Sequence, residues 1–163
     1  MTAYYNQVLK EFDETVVKIR RISKKTKGGN TIRFSALVVV GDRKGKVGVG
    51  LAKAPDVSGA IRKSLASAKR KMFTIPLRGT TIPYSVSEKF SAAKVLLKPA
   101  PPGSGIIAGG PIRVVLEAAG VRDAVGKILG TKNKTSNVYA TLEGLKTIAK
   151  IRNRKESISK KDI

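Results

Sequence analysis

The sequence predicts an α+β chain built as two small domains, and three observations carry that reading. Between residues 15 and 72, three β-branched stretches precede one stretch with helical periodicity. A Pro- and Gly-containing break follows at Thr74–Gly79. Beyond it, short strand patterns lead into two further helical patterns, up to residue 151. A length of 163 residues with 41% hydrophobic side chains is enough for two small packed domains.

The first strand is predicted over Thr15–Ile22 (TVVKIRRI), which is β-branched and basic. Lys24–Asn30 (KKTKGGN) is predicted as a turn, with Gly28 and Gly29 supplying backbone freedom. Thr31–Val40 forms the second strand and ends in the run LVVV. Gly41–Gly45 (GDRKG) is a tight hairpin turn leading to a third strand, Lys46–Ala54. In that strand Val47, Val49 and Leu51 alternate with Gly48 and Gly50. Pro55-Asp56 then opens a helix from Val57 to about Met72, with Asp56 as its N-cap. Val57, Ala60, Ile61, Leu65, Ala68 and Met72 make one apolar stripe, with Arg62, Lys63, Lys69 and Arg70 roughly opposite.

In the second half, strands are predicted around Thr81–Val86, Ala93–Lys98 and Gly105–Ile107. Pro111–Ala119 is a helix, with Pro111 in its first turn, Gly120 ending it, and Arg113 spaced to pair with Glu117. Ala124–Leu129 is a strand, and Thr135–Ile151 is the last helix, with Val138, Leu142, Leu145 and Ala149 inward. Residues 1–12 read as an N-terminal extension, 13–76 and 77–151 as the two domains, and 152–163 as a disordered basic tail.

Composition narrows the function. Thirty-three Lys and Arg against 11 acids give a net charge of +22. Such a charge repels itself in the folded state and calls for a polyanionic counterpart, nucleic acid first. The chain shows no apolar run near 18 residues and no signal-peptide pattern, so no membrane partner is expected and the expected location is cytoplasmic. There is no Cys and no His. That removes thiolate metal sites, zinc–imidazole sites and the commonest general base. Asp13 and Glu14 are adjacent, and on a strand adjacent side chains point apart. No enzyme activity, metal or cofactor is therefore expected.

The basic residues fall in clusters. Lys18, Arg20, Arg21, Lys24, Lys25 and Lys27 fall within ten residues, and the glycines beside them let backbone amides approach a phosphate. The helix face Arg62, Lys63, Lys69 and Arg70 is a second candidate, and Arg43, Lys44 and Lys46 at the next turn extend it. A basic meander with one helix can read RNA by shape, through phosphates and 2′-hydroxyls. Aromatic residues total 5% with no Trp, too few for a stacking platform.

The stretch Gly103-Ser104-Gly105-Ile106-Ile107-Ala108 fits G-x-G-x-x-A, with Asp123 twenty residues after Gly103. The context argues against a dinucleotide loop. Pro99, Pro101 and Pro102 separate the glycines from the strand, and Asp123 follows a helix rather than a second strand. Pro101 and Gly105-Ile106 also echo the phosphate loop of the galactokinase and homoserine kinase group, but Ala108 and Gly109 stand where serines are needed.

Longer motifs carry a more specific resemblance. Gly29–Asp42 followed by Gly45–Gly50, Gly103–Gly110, Leu116–Val121, and Asn137-Val138 with Ala140–Leu145 resemble the bacterial-type family of small-subunit ribosomal protein number five. The likeness runs from about residue 12 to 150, and Asn30 departs from it where the family usually has a basic residue or Gln. It implies a double-stranded-RNA-binding-like domain (three-stranded antiparallel sheet plus helix) and a C-terminal β3-α-β-α two-layer domain. It implies a structural role in the ribosome, with contacts to small-subunit ribosomal RNA and to the fourth and eighth small-subunit proteins. Proximity to messenger RNA and a link to decoding accuracy are implied too, and no homo-oligomer is expected. The expected RNA-binding residues are Arg20, Arg21, Lys24, Lys25, Lys27, Gly28 and Gly29, then Arg33, Arg43 and Lys44, the four helix cations, and Lys132 and Lys134. Gly103, Ser104, Gly105, Gly109, Gly110 and Arg113 are expected at a protein or RNA interface. The alternatives are a free double-stranded-RNA-binding regulator and a kinase-like phosphate binder.

Overall fold

The structure, a computed structural model, describes residues 12–159. The N-terminal extension, with Tyr4 and Tyr5, and residues 160–163 lie outside the described residues.

The first sheet contains β1 (Asp13–Thr26), β2 (Gly29–Gly41), β3 (Lys46–Ala54) and β4 (Phe73–Thr74), all antiparallel and in chain order. The expected meander is present, with a fourth strand added: Lys46 pairs with Thr74 and Val47 with Phe73. The expected turn Lys24–Asn30 is shorter than read. Pairing continues to Thr26↔Gly29, so Lys24 and Lys25 are strand residues and only Lys27-Gly28 turns. β3 stops at Ala54 opposite Phe34, leaving residues 22–33 as a two-stranded ribbon beyond the sheet.

The run at the end of β2 is buried on both faces, because the sheet has a neighbour on each side. Ala36, Val38 and Val40 pack with Ala60 and Ala68 of α1 (Val57–Arg70). Leu37 and Val39 join Val47, Val49 and the core of the second half. A strand covered twice loses its alternation and reads as a continuous apolar run.

Asp56 caps α1, accepting a hydrogen bond from the Gly59 amide at 2.6 Å. That bond and one from the Ser58 hydroxyl hold its carboxyl below the usual range. The glycines of β3 bring α1 close. A Cβ at Gly50 would lie 2.0 Å from the Ser64 carbonyl oxygen, and one at Gly48 2.4 Å from that of Ala68. Ser64, fully buried, donates its hydroxyl to the Ala36 and Ala60 carbonyls, both at 2.8 Å.

The second sheet has the order β5-β6-β8-β7, with β5 at Val86–Phe90, β6 at Ala93–Pro99, β7 at Ile106–Ile107 and β8 at Ala124–Ile128. β7 runs parallel to β8, and the other pairs are antiparallel. With α2 (Gly110–Ala119) and α3 (Lys134–Ser159), this is the expected β3-α-β-α order. The strand expected at Thr81–Val86 begins instead at Val86: Pro83 interrupts the stretch, and Thr81 makes only isolated bridges to Arg78 and Asp123. The last helix runs to Ser159 rather than ending at Ile151, so the tail is helical from 152 to 159. Residues 152–159 lack Gly and Pro, and Arg, Lys and Glu favour continuation.

The two halves are joined through the β2–β3 turn. The Arg43 amide donates to the Ala118 carbonyl at 3.1 Å, and the Gly45 amide to that of Ala119 at 2.9 Å. These capture carbonyls at the C-terminus of α2 that the helix itself leaves free. A Cβ on Gly41 would meet the Ala118 carbonyl oxygen at 1.9 Å, which is why that position is glycine.

Candidate nucleic-acid interface

The cations of β1 are distributed by one irregularity. Val16 pairs with Val38, and the next regular pair is Lys18↔Leu37, so Val17 is an extra residue in a β-bulge. Val17 packs against the core shared with the second domain. Continuing the earlier register would place Lys18 opposite Ala36, on the α1 side. The bulge reverses that parity. Lys18, Arg20, Ile22 and Lys24 thus share a face with Leu37, Ser35, Arg33 and Thr31 of β2.

β3 extends this face through Leu51 and Lys53, opposite Leu37 and Ser35. The second domain closes one side. Arg20 donates a guanidinium hydrogen bond to Asn133 Oδ1 at 3.3 Å, across 113 residues of sequence. Asn133 also fixes the start of α3, since its Oδ1 accepts from the Thr135 amide and its carbonyl from the Asn137 amide. A cleft results, lined by Lys18, Arg20, Lys53, Asn133 and Thr135 over an apolar floor of Ile22, Leu37 and Leu51. It continues along the ribbon past Lys24, Thr26, Thr31 and Arg33. Exposed Lys132 and Lys134 flank Asn133, so the structure brings this turn beside Arg20.

The remaining expected residues lie elsewhere. Arg21 and Lys25 project from the opposite face of the ribbon, opposite Phe34 and Asn30, and Lys27 sits in the turn. The exposed Arg62 and Lys63 lie on α1 near the root of the ribbon, because α1 begins three residues after Ala54, which pairs with Phe34. Lys69 lies toward the other end and is engaged by Glu14 at 3.0 Å. Asp13 points the other way, binding Arg43 at 2.7 Å, as adjacent strand residues should. That bond raises the Arg43 pKa further. Arg43 and Lys44 are at the far end of β2 from the ribbon tip, roughly 40 Å away at about 3.3 Å per residue. They do not join the ribbon cluster.

Lys53 is a cleft residue that the sequence reading does not include. Its signal is present in the sequence: Lys53 follows Leu51 at a spacing of two, so both project from one face of β3.

The Gly103–Gly110 loop is built by backbone needs. Gly103 and Gly105 have φ of +87° and +68°, and neither has any atom near a would-be Cβ. Asp123 is buried and accepts from the Gly105 amide at 2.9 Å. Hydrogen bonds from Thr80 and then from the loop amides hold its carboxyl below the usual range. The spacing that mimics a ribose-binding acid therefore reflects a carboxylate consumed in holding the loop. Arg113 does not pair with Glu117. Its guanidinium donates to the Ile106 carbonyl at 2.9 Å, tying α2 to the same loop.

Residues 12–76 match the family model described as Ribosomal protein S5, N-terminal domain. Residues 88–160 match the one described as Ribosomal protein S5, C-terminal domain. The chain belongs to the ribosomal protein S5 family. It is a ribosomal protein of the small subunit. The N-terminal match spans the first sheet and α1, and the C-terminal match runs from within β5 through α3. Among the described residues, no group of carboxylates could hold a metal ion and no helix is long and apolar enough to cross a membrane.

Proposed function

We propose that this ribosomal S5 protein is a structural, non-catalytic constituent that binds small-subunit ribosomal RNA through its β1–β2 ribbon. The carrying observation is the convergence of Lys18, Arg20, Lys24, Arg33 and Lys53 on one face beside the start of α3. Lys27 at the tip and Arg21 and Lys25 on the back let the ribbon meet phosphates on both sides. Gly28 leaves the tip without a side chain, so the backbone can come close to RNA. Arg62 and Lys63 add contacts at the root, and Lys132 and Lys134 add them across the cleft.

The shared core supports a division of labour. The ribbon reaches into RNA while the second domain, with Gly103–Gly110 and Arg113, meets neighbouring protein. The family membership favours the fourth and eighth small-subunit proteins as those neighbours. By holding RNA on one side and protein on the other, the chain influences decoding accuracy and messenger entry through their relative placement.

Binding to small-subunit RNA measured across a salt series tests the reading. Contacts to several phosphates make log K fall steeply with log salt, by about 0.9 per phosphate on a duplex. A flat salt response would remove the electrostatic clamp. Sedimentation of the tagged chain away from small subunits would remove the ribosomal assignment.

A further inference from the structure

The second sheet has one covered face and one open face. Gly144 of α3 approaches the Leu97, Val86 and Glu88 side chains, and Ile112 of α2 approaches Gly126. Leu97 pairs with both Val86 and Gly126, so both helices cover the same side. The other side presents Lys89, Lys94, Lys98 and Lys127, all exposed, around half-buried Leu96 and Val125, with Ser87 and exposed Ile107 on its two edge strands. These are all the cations of the four strands, while the only carboxylate in the strands, Glu88, is on the helix side. Asp123, next to β8 in sequence, is already held by the Gly105 amide.

Lys89 and Lys94 are direct cross-strand partners. Like charges placed so are destabilising in the free protein. Among the described residues, none of the four lysines has an ion-pair partner. An arrangement that costs folding stability and gathers one sign of charge points to an external anion.

We infer that this open face is a second RNA-binding surface, taking the phosphate backbone of a ribosomal RNA segment separate from the one at the ribbon. The inference rests on the ribosomal-RNA reading above. Residue types favour RNA over an acidic protein. Protein interfaces are enriched in Arg, Tyr and Trp and depleted in Lys. The face carries four lysines, no arginine and no aromatic ring. Lysine binds phosphate as a point charge, and without rings the surface has nothing on which to stack bases.

The native full chain provides the test. Lysine acetylation is compared with and without small-subunit RNA, using exposed Lys150 on α3 as the reference. The expected result is several-fold protection of Lys89, Lys94, Lys98 and Lys127 by RNA alone. In parallel, K89Q/K94Q/K98Q/K127Q should reduce the salt slope by about 0.9 for each phosphate that the variant no longer neutralises. Circular dichroism should show that variant folded, since a like-charge pair has been removed. Protection that appears only when other small-subunit proteins are added would overturn the inference in favour of a protein partner. If K24E/K25E/K27E weakens RNA binding while the four lysines of the RNA-bound native chain stay as reactive as in the free chain, the sheet-face inference fails alone. If RNA neither binds the native chain nor protects any lysine, the ribosomal-RNA reading fails with it.

Discussion

Lys18 lies opposite Leu37, one residue out of step with the Val16–Val38 pair before it. This bulge decides which cations share the cleft with Asn133. It also reconciles two demands on β1: Glu14 must face α1 to meet Lys69, while Arg20 must face α3. Arg20→Gln and Arg21→Gln should therefore behave differently. Arg20→Gln breaks the bridge to Asn133 and removes a cleft charge, whereas Arg21→Gln removes a charge from the opposite face. Amide exchange at the start of α3 is the readout, and it should quicken only in Arg20→Gln.

The glycines of β3 are packing residues. Gly50→Ala would drive a Cβ into the Ser64 carbonyl, forcing α1 off the sheet. Overpacking of this kind costs about 1–3 kcal/mol. Gly28→Ala meets nothing and is not at a positive φ, so its effect on unfolding free energy should stay near zero. Denaturant unfolding of both variants checks the contrast. If Gly28→Ala lowers RNA affinity at unchanged stability, close backbone approach to RNA is the reason.

Asp123 should make stability acid-dependent. Its carboxyl is depressed by hydrogen bonds from Thr80 and Gly105. The unfolded chain thus binds the proton more tightly, and the contribution is fully present above the ordinary Asp value of about 3.9. It is lost as pH falls through the lower folded value. The difference in Tm between the native chain and Asp123→Asn should therefore shrink from about pH 5 toward about pH 2. Asp56, also depressed, will leave a residual acid dependence in both.

The junction between halves is equally specific. Gly120 has φ of +86°, and a Cβ there would lie 2.1 Å from the Arg43 carbonyl oxygen. Gly120→Ala should lower the unfolding free energy by more than about 1 kcal/mol, because strain and overpacking add. The measurement is a denaturant curve, and an unchanged midpoint would contradict this account of the junction.

The fold was largely legible because period, caps and turns agreed with one another. Asp56, Pro111 and Gly120 marked helix ends, and Lys46–Ala54 was bounded by Gly45 and Pro55. Where the structure departs from the local pattern, pairing and proline decide. Lys24 and Lys25 looked like turn residues by composition, but antiparallel pairing carried them into the strand. Pro83 displaced a strand that β-branched residues suggested. The site was legible as a charge inventory, while its geometry was not. The bulge at Val17, the Arg20–Asn133 bridge and the capture of Lys69 by Glu14 depend on register and tertiary contact. No local pattern encodes those.

The central claim is that the ribbon anchors this protein to small-subunit RNA. Reconstitution of small subunits with the K24E/K25E/K27E variant, followed by gradient sedimentation, tests it most directly. These residues are exposed, so the variant should fold like the native chain. Loss of the variant from the small-subunit peak is the predicted result. Incorporation equal to that of the native chain would contradict the claim.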